Sequence, residues 1–134
     1  MKSYRLTAWL LAAIMLLTAG GIALAAGKEK ASMKFKETVH NFGTIKEDGG
    51  SVTCEFPFVN DGKANLVVFS ATAECGCTKP VFPKQPIAPG KNGVIKVTYN
   101  PIGRPGAFDK VVTIKTNGKP GKVRLKIRGT VMPK

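Results

Sequence analysis

Histidine, tryptophan and acidic side chains are scarce in this chain. It carries one His, one Trp and eight acidic residues in 134. A single histidine, His40, cannot supply the imidazole clusters on which most hydrolytic metal sites depend. No Gly-x-Ser-x-Gly elbow, His-Glu-x-x-His pair or phosphate-cradling glycine loop occurs. Glu47 and Asp48 are adjacent beside a turn, where charge is ordinarily solvated. Carboxylates that share acid–base work face each other across a cleft instead. We therefore expect no enzyme and no cofactor. From Lys28 onward long helical periodicity is missing too, which argues against helical folds.

What is present begins with a targeting pattern. Lys2 and Arg5 open the chain, and a charge-free run extends from Leu6 to Ala26. Ala23-Leu24-Ala25 fits the small-x-small rule for cleavage. Residues 1–25 read as a secretion signal cut after Ala25 or Ala26. The run is long enough for a spanning helix of about 20 residues, but Gly20, Gly21 and the alanines weaken its end. Membrane attachment is expected only through this segment, should it stay uncleaved. The short basic start is bacterial in style, so the expected compartment is the periplasm or the exterior.

The remaining 109 residues hold 19 basic and eight acidic side chains, a net charge of +11. Their length suits one domain with a single core. In a cytosolic protein such charge points to nucleic acid. Export argues against that partner and favours an envelope protein or an anionic envelope polymer. Lysines that only keep a β protein soluble are the plainer alternative.

Residues 26–32 read as a flexible lead-in and 33–134 as the domain. Met33 to Val39 reads as a strand, with Phe42 to Ile45 continuing it after a kink. Ser51 to Asn60 places Val52, Cys54, Phe56 and Phe58 on one face by the period of two. Asn65 to Ala71 is a continuous apolar run suited to a strand buried on both sides. A short Val81-Phe82 follows, then a stiff loop through Pro83, Pro86 and Pro89. Gly93 to Asn100 puts Ile95, Val97 and Tyr99 on one face. Phe108 to Thr116 does the same with Phe108, Val112 and Ile114, with Lys110 among them. Asn117 to Gly121 is a hairpin loop. Lys122 to Val131 turns Val123, Leu125 and Ile127 inward and Lys122, Arg124, Lys126 and Arg128 outward. Phe42, Phe56, Phe58, Phe69 and Phe82 read as core. The pattern predicts an all-β fold: a seven-stranded antiparallel immunoglobulin-like sandwich after an N-terminal signal helix. A small open barrel is the alternative.

Five pieces of the chain, taken in order, resemble one family. They are His40-Asn41-Phe42-Gly43-Thr44-Ile45, Phe56-Pro57-Phe58-Val59-Asn60-Asp61-Gly62, Cys75-Gly76-Cys77-Thr78, Ile87-Ala88-Pro89-Gly90 and Gly106-Ala107-Phe108-Asp109-Lys110. Together they are similar to the bacterial DUF1573 family over roughly Phe35 to Val131. The resemblance implies an exported immunoglobulin-like sandwich, related in architecture to the ASH and major-sperm-protein domains. Those relatives serve mostly as binding or structural modules, and the family has no assigned activity. Cys54 departs from the ordinary strand residue expected at its position.

Three cysteines, Cys54, Cys75 and Cys77, leave one thiol over in an exported chain. One reading is a disulfide from Cys54 to Cys75 or Cys77, tying two strands and contributing about 3 kcal/mol. Another joins Cys75 to Cys77 and leaves Cys54 as buried filler. Two thiolates at this spacing also suit Cu(I) or Zn(II), although two ligands leave a tetrahedral site unfinished. His40 is expected to pack beside Phe42 or face solvent, not to complete such a site. A fourth reading is thiol–disulfide exchange, with Lys79 near the pair and Glu74 opposing it. The expected function is thus a non-catalytic binding or structural module whose contact surface is Lys122, Arg124, Lys126 and Arg128. The alternative is a thiol-redox or Cu(I)-binding protein using Cys75 and Cys77. A weaker third reading is a chaperone-like module that pairs strands with a partner's segment.

Overall fold

The computed structural model describes residues 29–134. The expected signal, 1–25, lies outside the described residues. Two four-stranded sheets pack face to face. The first runs β1 (Met33–Phe35), β3 (Val52–Asn60), β6 (Asn92–Tyr99) and β5 (Thr78–Val81). The second runs β2 (Val39–Lys46), β8 (Lys122–Met132), β7 (Gly106–Thr116) and β4 (Val68–Ala73). No helix among the described residues is long and apolar enough to cross a membrane.

Eight strands replace the seven expected, because the first expected strand is two. Phe35 pairs with Phe58 in the first sheet, whereas Val39 lies beside Lys126 in the second. Lys36, Glu37 and Thr38, all exposed, carry the chain across. The sandwich is also not wholly antiparallel, since β2 runs parallel to β8. The kink expected near Phe42 is a bulge between Asn41 and Thr44. Gly43 takes a φ of 70° there and donates its N–H to Asn41 Oδ1 at 2.8 Å. A side chain would strain that backbone.

Alternation sets the core as the sequence predicts. Cys54, Phe56, Phe58, Ile95, Val97 and Tyr99 come from the first sheet; Phe108, Val112, Ile114, Leu125, Ile127 and Val131 come from the second. Tyr99 and Phe108 stack between the sheets with centroids 4.0 Å apart. Burial pushes the Tyr99 phenol above its ordinary range, which the Arg104 charge partly offsets. Full burial of side chains this size stabilises by about 1.5–3 kcal/mol each.

The run expected to be buried on both sides is not one. Leu66 bridges Ile87 outside the named strands, and β4 begins only at Val68. Its register then shifts between Val68 and Ser70. Phe69 falls at that shift and is 62% exposed. Of the phenylalanines read as core, Phe56 and Phe58 are buried, Phe42 and Phe82 are partly buried against it, and Phe69 is outside.

Asn60, at the end of β3, explains two of the quoted pieces. Its side chain is fully buried. Oδ1 accepts from the N–H groups of Ser32 and Gly62, and Nδ2 donates to the carbonyls of Ala64 and Ile87. Its own carbonyl accepts from Gly90 N–H at 2.7 Å. The Val59-Asn60-Asp61-Gly62 and Ile87-Ala88-Pro89-Gly90 pieces are therefore two halves of one knot. It also holds the lead-in. Ala31 is buried, Lys63 donates to Lys30, and Lys119 donates to Ala31. Lys30 to Ser32 are thus bonded into the domain, where a flexible lead-in was expected.

Candidate functional site

The expected basic stripe lies on the outward face of the second sheet. Along β8, Leu125 and Ile127 are buried while Lys122, Arg124 and Arg128 are exposed and Lys126 is half-buried. Alternate residues of a strand recur about every 7 Å, so the four side chains form a row about 20 Å long. β8 is an inner strand of its sheet, so its neighbours widen this row. On β7, Lys115 stands directly opposite Lys122, Thr113 opposite Arg124 and Asp109 opposite Arg128. On β2, Val39 lies beside Lys126, Asn41 beside Arg128 and Lys46 beside Met132.

Six basic side chains and one acid thus share this face. The acid, Asp109, meets Arg128 with Oδ2 3.5 Å from Nη2, and both side chains are about half exposed. An exposed pair of this kind is worth about 1 kcal/mol or less. Lys115 against Lys122 is a directly opposed like-charge pair, which costs stability. Sequence reasoning found the β8 row but missed Lys46 and Lys115. The signal for Lys115 was available, since the Asn117–Gly121 hairpin brings it opposite Lys122.

A groove of about 520 Å³ opens at the Arg128 end of the row. Asn41, Thr44, Asp109, Arg128 and Thr130 line it, with Gly43 and Gly129 between them. A Cβ at Gly129 would stand 2.8 Å from the Gly43 carbonyl and 2.9 Å from the Phe108 ring. Glycine is what lets β2 and Phe108 approach here. Beneath, His40 packs edge-on against Phe42 at 4.6 Å, as expected of it.

The cysteines resolve into one bond and one thiol. Cys75 and Cys77 are joined, their Cα atoms 5.1 Å apart, and Cys54 is free and buried. The expected tie from Cys54 to either partner does not form. Cys54 is on β3, Cys77 adjoins β5, and β6 runs between those strands. Two strand spacings make about 9.5 Å, beyond the reach of about 7 Å that a disulfide allows. Burial pushes the Cys54 thiol from its ordinary 9.0 up to about 11. A thiol so placed stays protonated and packs as an apolar side chain. Among the described residues no three His, Cys, Asp or Glu side chains gather as a metal site.

The family model described as "Protein of unknown function (DUF1573)" matches residues 33–131. The chain belongs to the DUF1573 family. All five quoted pieces fall within the match. No curated protein matches the chain. Among solved structures, a protein of unknown function from Porphyromonas gingivalis W83 is 18% identical, with a TM-score of 0.65, over 75% of this chain and 46% of that one. The Vibrio cholerae protease VesB is 16% identical, with a TM-score of 0.56, over 77% of this chain and 32% of its own. The secreted serine protease VesC of the same organism is 17% identical, with a TM-score of 0.53, over 76% and 23%. At these identities the likeness is one of fold. This DUF1573 chain spans less than half the length of each of the three.

Proposed function

We propose that this DUF1573 chain is an exported, immunoglobulin-like, non-catalytic binding or structural module of the bacterial envelope, with the outward face of the second sheet as its contact surface. The order β1-β3-β6-β5 against β8-β7-β4 parallels the ABED and CFG sheets of an immunoglobulin constant domain, which supports the finer fold reading. The observation that carries the function is the charge of the face. A surface shaped only for solubility intersperses both signs. Here Lys115 opposes Lys122 at a cost to the fold, and one acid stands among six bases. The row Lys122, Arg124, Lys126 and Arg128 then holds a negatively charged envelope component. The test is fractionation of cells producing the full chain or an Arg124→Glu, Lys126→Glu variant. Release of the variant into the soluble fraction supports the reading, and unchanged retention defeats it.

A second reading, thiol-redox or Cu(I)-binding chemistry at Cys75 and Cys77, draws on the bond between those two residues. Reduction by an external dithiol would return both thiols, which Cu(I) favours as soft ligands. Titrating the reduced protein with Cu(I) against a competing chelator tests it. Binding no tighter than that of a Cys75→Ser, Cys77→Ser variant removes it.

A further inference from the structure

The basic face has a shape as well as a sign, and the shape narrows the ligand. We infer that it takes a linear anionic polymer of sugar or polyol units, laid along β8, with the groove beside Arg128 receiving one unit. The inference rests on the proposed contact surface and names its ligand class.

Three observations favour a thread of charge over a folded protein or a lipid surface. The charges lie in a row, spaced about 7 Å apart for about 20 Å. Such a row matches a chain whose anionic groups repeat at the length of one unit, and it neutralises several of them at once. The outward residues around the row are mainly hydroxyl, amide or small, namely Thr44, Thr72, Thr113, Thr130, Asn41 and Ala107, with Val39 and Val111 the apolar neighbours of Lys126. Protein interfaces centre on aromatic and apolar anchors, whereas the exposed Phe69 and Met132 of this sheet stand near the ends of the edge strand β4 and of β8, away from the middle of the row. Lipid surfaces are held by long apolar and aromatic residues inserted beside the charge, whereas only the short side chains of Val39 and Val111 flank Lys126. Finally, the groove at the Arg128 end combines one guanidinium with Asn41, Thr44, Asp109 and Thr130. A guanidinium suits a carboxylate or phosphate, and the carboxylate, amide and hydroxyls suit the alcohols of the same unit.

The experiment measures binding of the full chain to oligogalacturonates from dimer to dodecamer. Galacturonic acid, neutral dextran and phosphatidylglycerol vesicles serve as comparisons. Affinity is expected to climb with length until the oligomer covers the row of about 20 Å, and to fall steeply with salt. Arg124→Glu with Lys126→Glu is expected to weaken binding about 30-fold or more, while Lys34→Glu with Lys79→Glu on the first sheet leaves it within about twofold. Both pairs change the net charge equally, so equal losses would mean binding by net charge alone and would overturn the inference. Asp109→Asn is expected to tighten binding about twofold, because the amide keeps a hydrogen-bonding group for the alcohols while the one acid on the face is removed; weaker binding would overturn the placing of a unit in the groove. Tighter binding to the vesicles than to the longest oligomer would assign the face to lipid and overturn the polymer. Failure of every oligomer to bind at low salt would overturn it as well. The same variant's fractionation then separates the two levels. Release of the variant from the envelope keeps the module with a different ligand, and retention removes both.

Discussion

The outward faces of the two sheets are both basic, and they differ in how far neighbours across the strands offset each other. On the first sheet, Glu55 stands opposite Lys96 with charged atoms 3.8 Å apart, and Thr53 shares a hydrogen bond of 2.8 Å with Thr98. Neighbours there complement each other across the strands. On the second sheet, Lys115 faces Lys122, and Arg124 and Lys126 face Thr113 and Val111. The first face pairs its one acid with Lys96, and Lys34 and Lys79 stand opposite Val59 and Thr98. The second has one such pair, Arg128 with Asp109, among six bases, and so carries the larger share of unpaired positive charge. Structural knots also gather on the first sheet's side, where Asn60 binds the lead-in and the Ile87–Gly90 loop.

The comparison can be broken in several places. Asn60→Ala should cost about 3 kcal/mol, because it strips the half-buried Ser32 and Gly62 N–H groups and the Ala64 carbonyl of this partner, while the Ile87 carbonyl keeps Leu66 N–H. Urea unfolding would read this as a lower midpoint with the slope kept. A loss no larger than that of Arg124→Glu would deny the first sheet its structural role.

Cys54 supplies the next effect, from inside the first sheet. Its thiol titrates near 11 when folded and near 9.0 otherwise. The unfolded chain therefore loses this proton first as pH rises. The contribution of Cys54 is whole below pH 9 and declines up to pH 11, by just under 3 kcal/mol in all, at about 1.4 kcal/mol per pH unit. Cys54→Val should flatten that decline relative to the native chain. Mass spectrometry after unfolding and alkylation should find one labelled thiol, rising to three after reduction.

Gly129→Ala, on the second sheet, should cost about 1–2 kcal/mol, since the new methyl meets the Gly43 carbonyl and the Phe108 ring. The smallest effect is the sharpest test of the two faces. Lys115→Glu should stabilise by about 0.5 kcal/mol and Lys96→Glu should destabilise by about as much, because one relieves a like-charge pair and the other creates one. Both effects should fade at about 1 M salt. Equal signs in thermal melts at low salt would erase the contrast.

Much of the first sheet was legible in advance. Val52, Cys54, Phe56 and Phe58 alternate, and so do Ile95, Val97 and Tyr99, because a half-buried strand needs that period. The β8 row was legible for the same reason. Phe69 was not, since an apolar run carries no mark of the register shift that turns it out. Nor was the crossing at Lys36–Thr38, where one stretch of strand-like residues serves two sheets. The roles of Asn60 and Gly129 depend on partners distant in the chain, Ser32 and Ile87 for one and Gly43 and Phe108 for the other, and could not be read locally.

By itself the sequence determined the strand pattern, the family, the inward faces and the sign of the charge. These are local properties, set by alternation and by counts of residues. Only the tertiary structure decided that Cys54 stands a strand apart from Cys75 and Cys77, and that Lys46 and Lys115 join the row on β8. Both depend on which strands are neighbours. Strand order is settled by the packing of two whole sheets, and no single segment contains it.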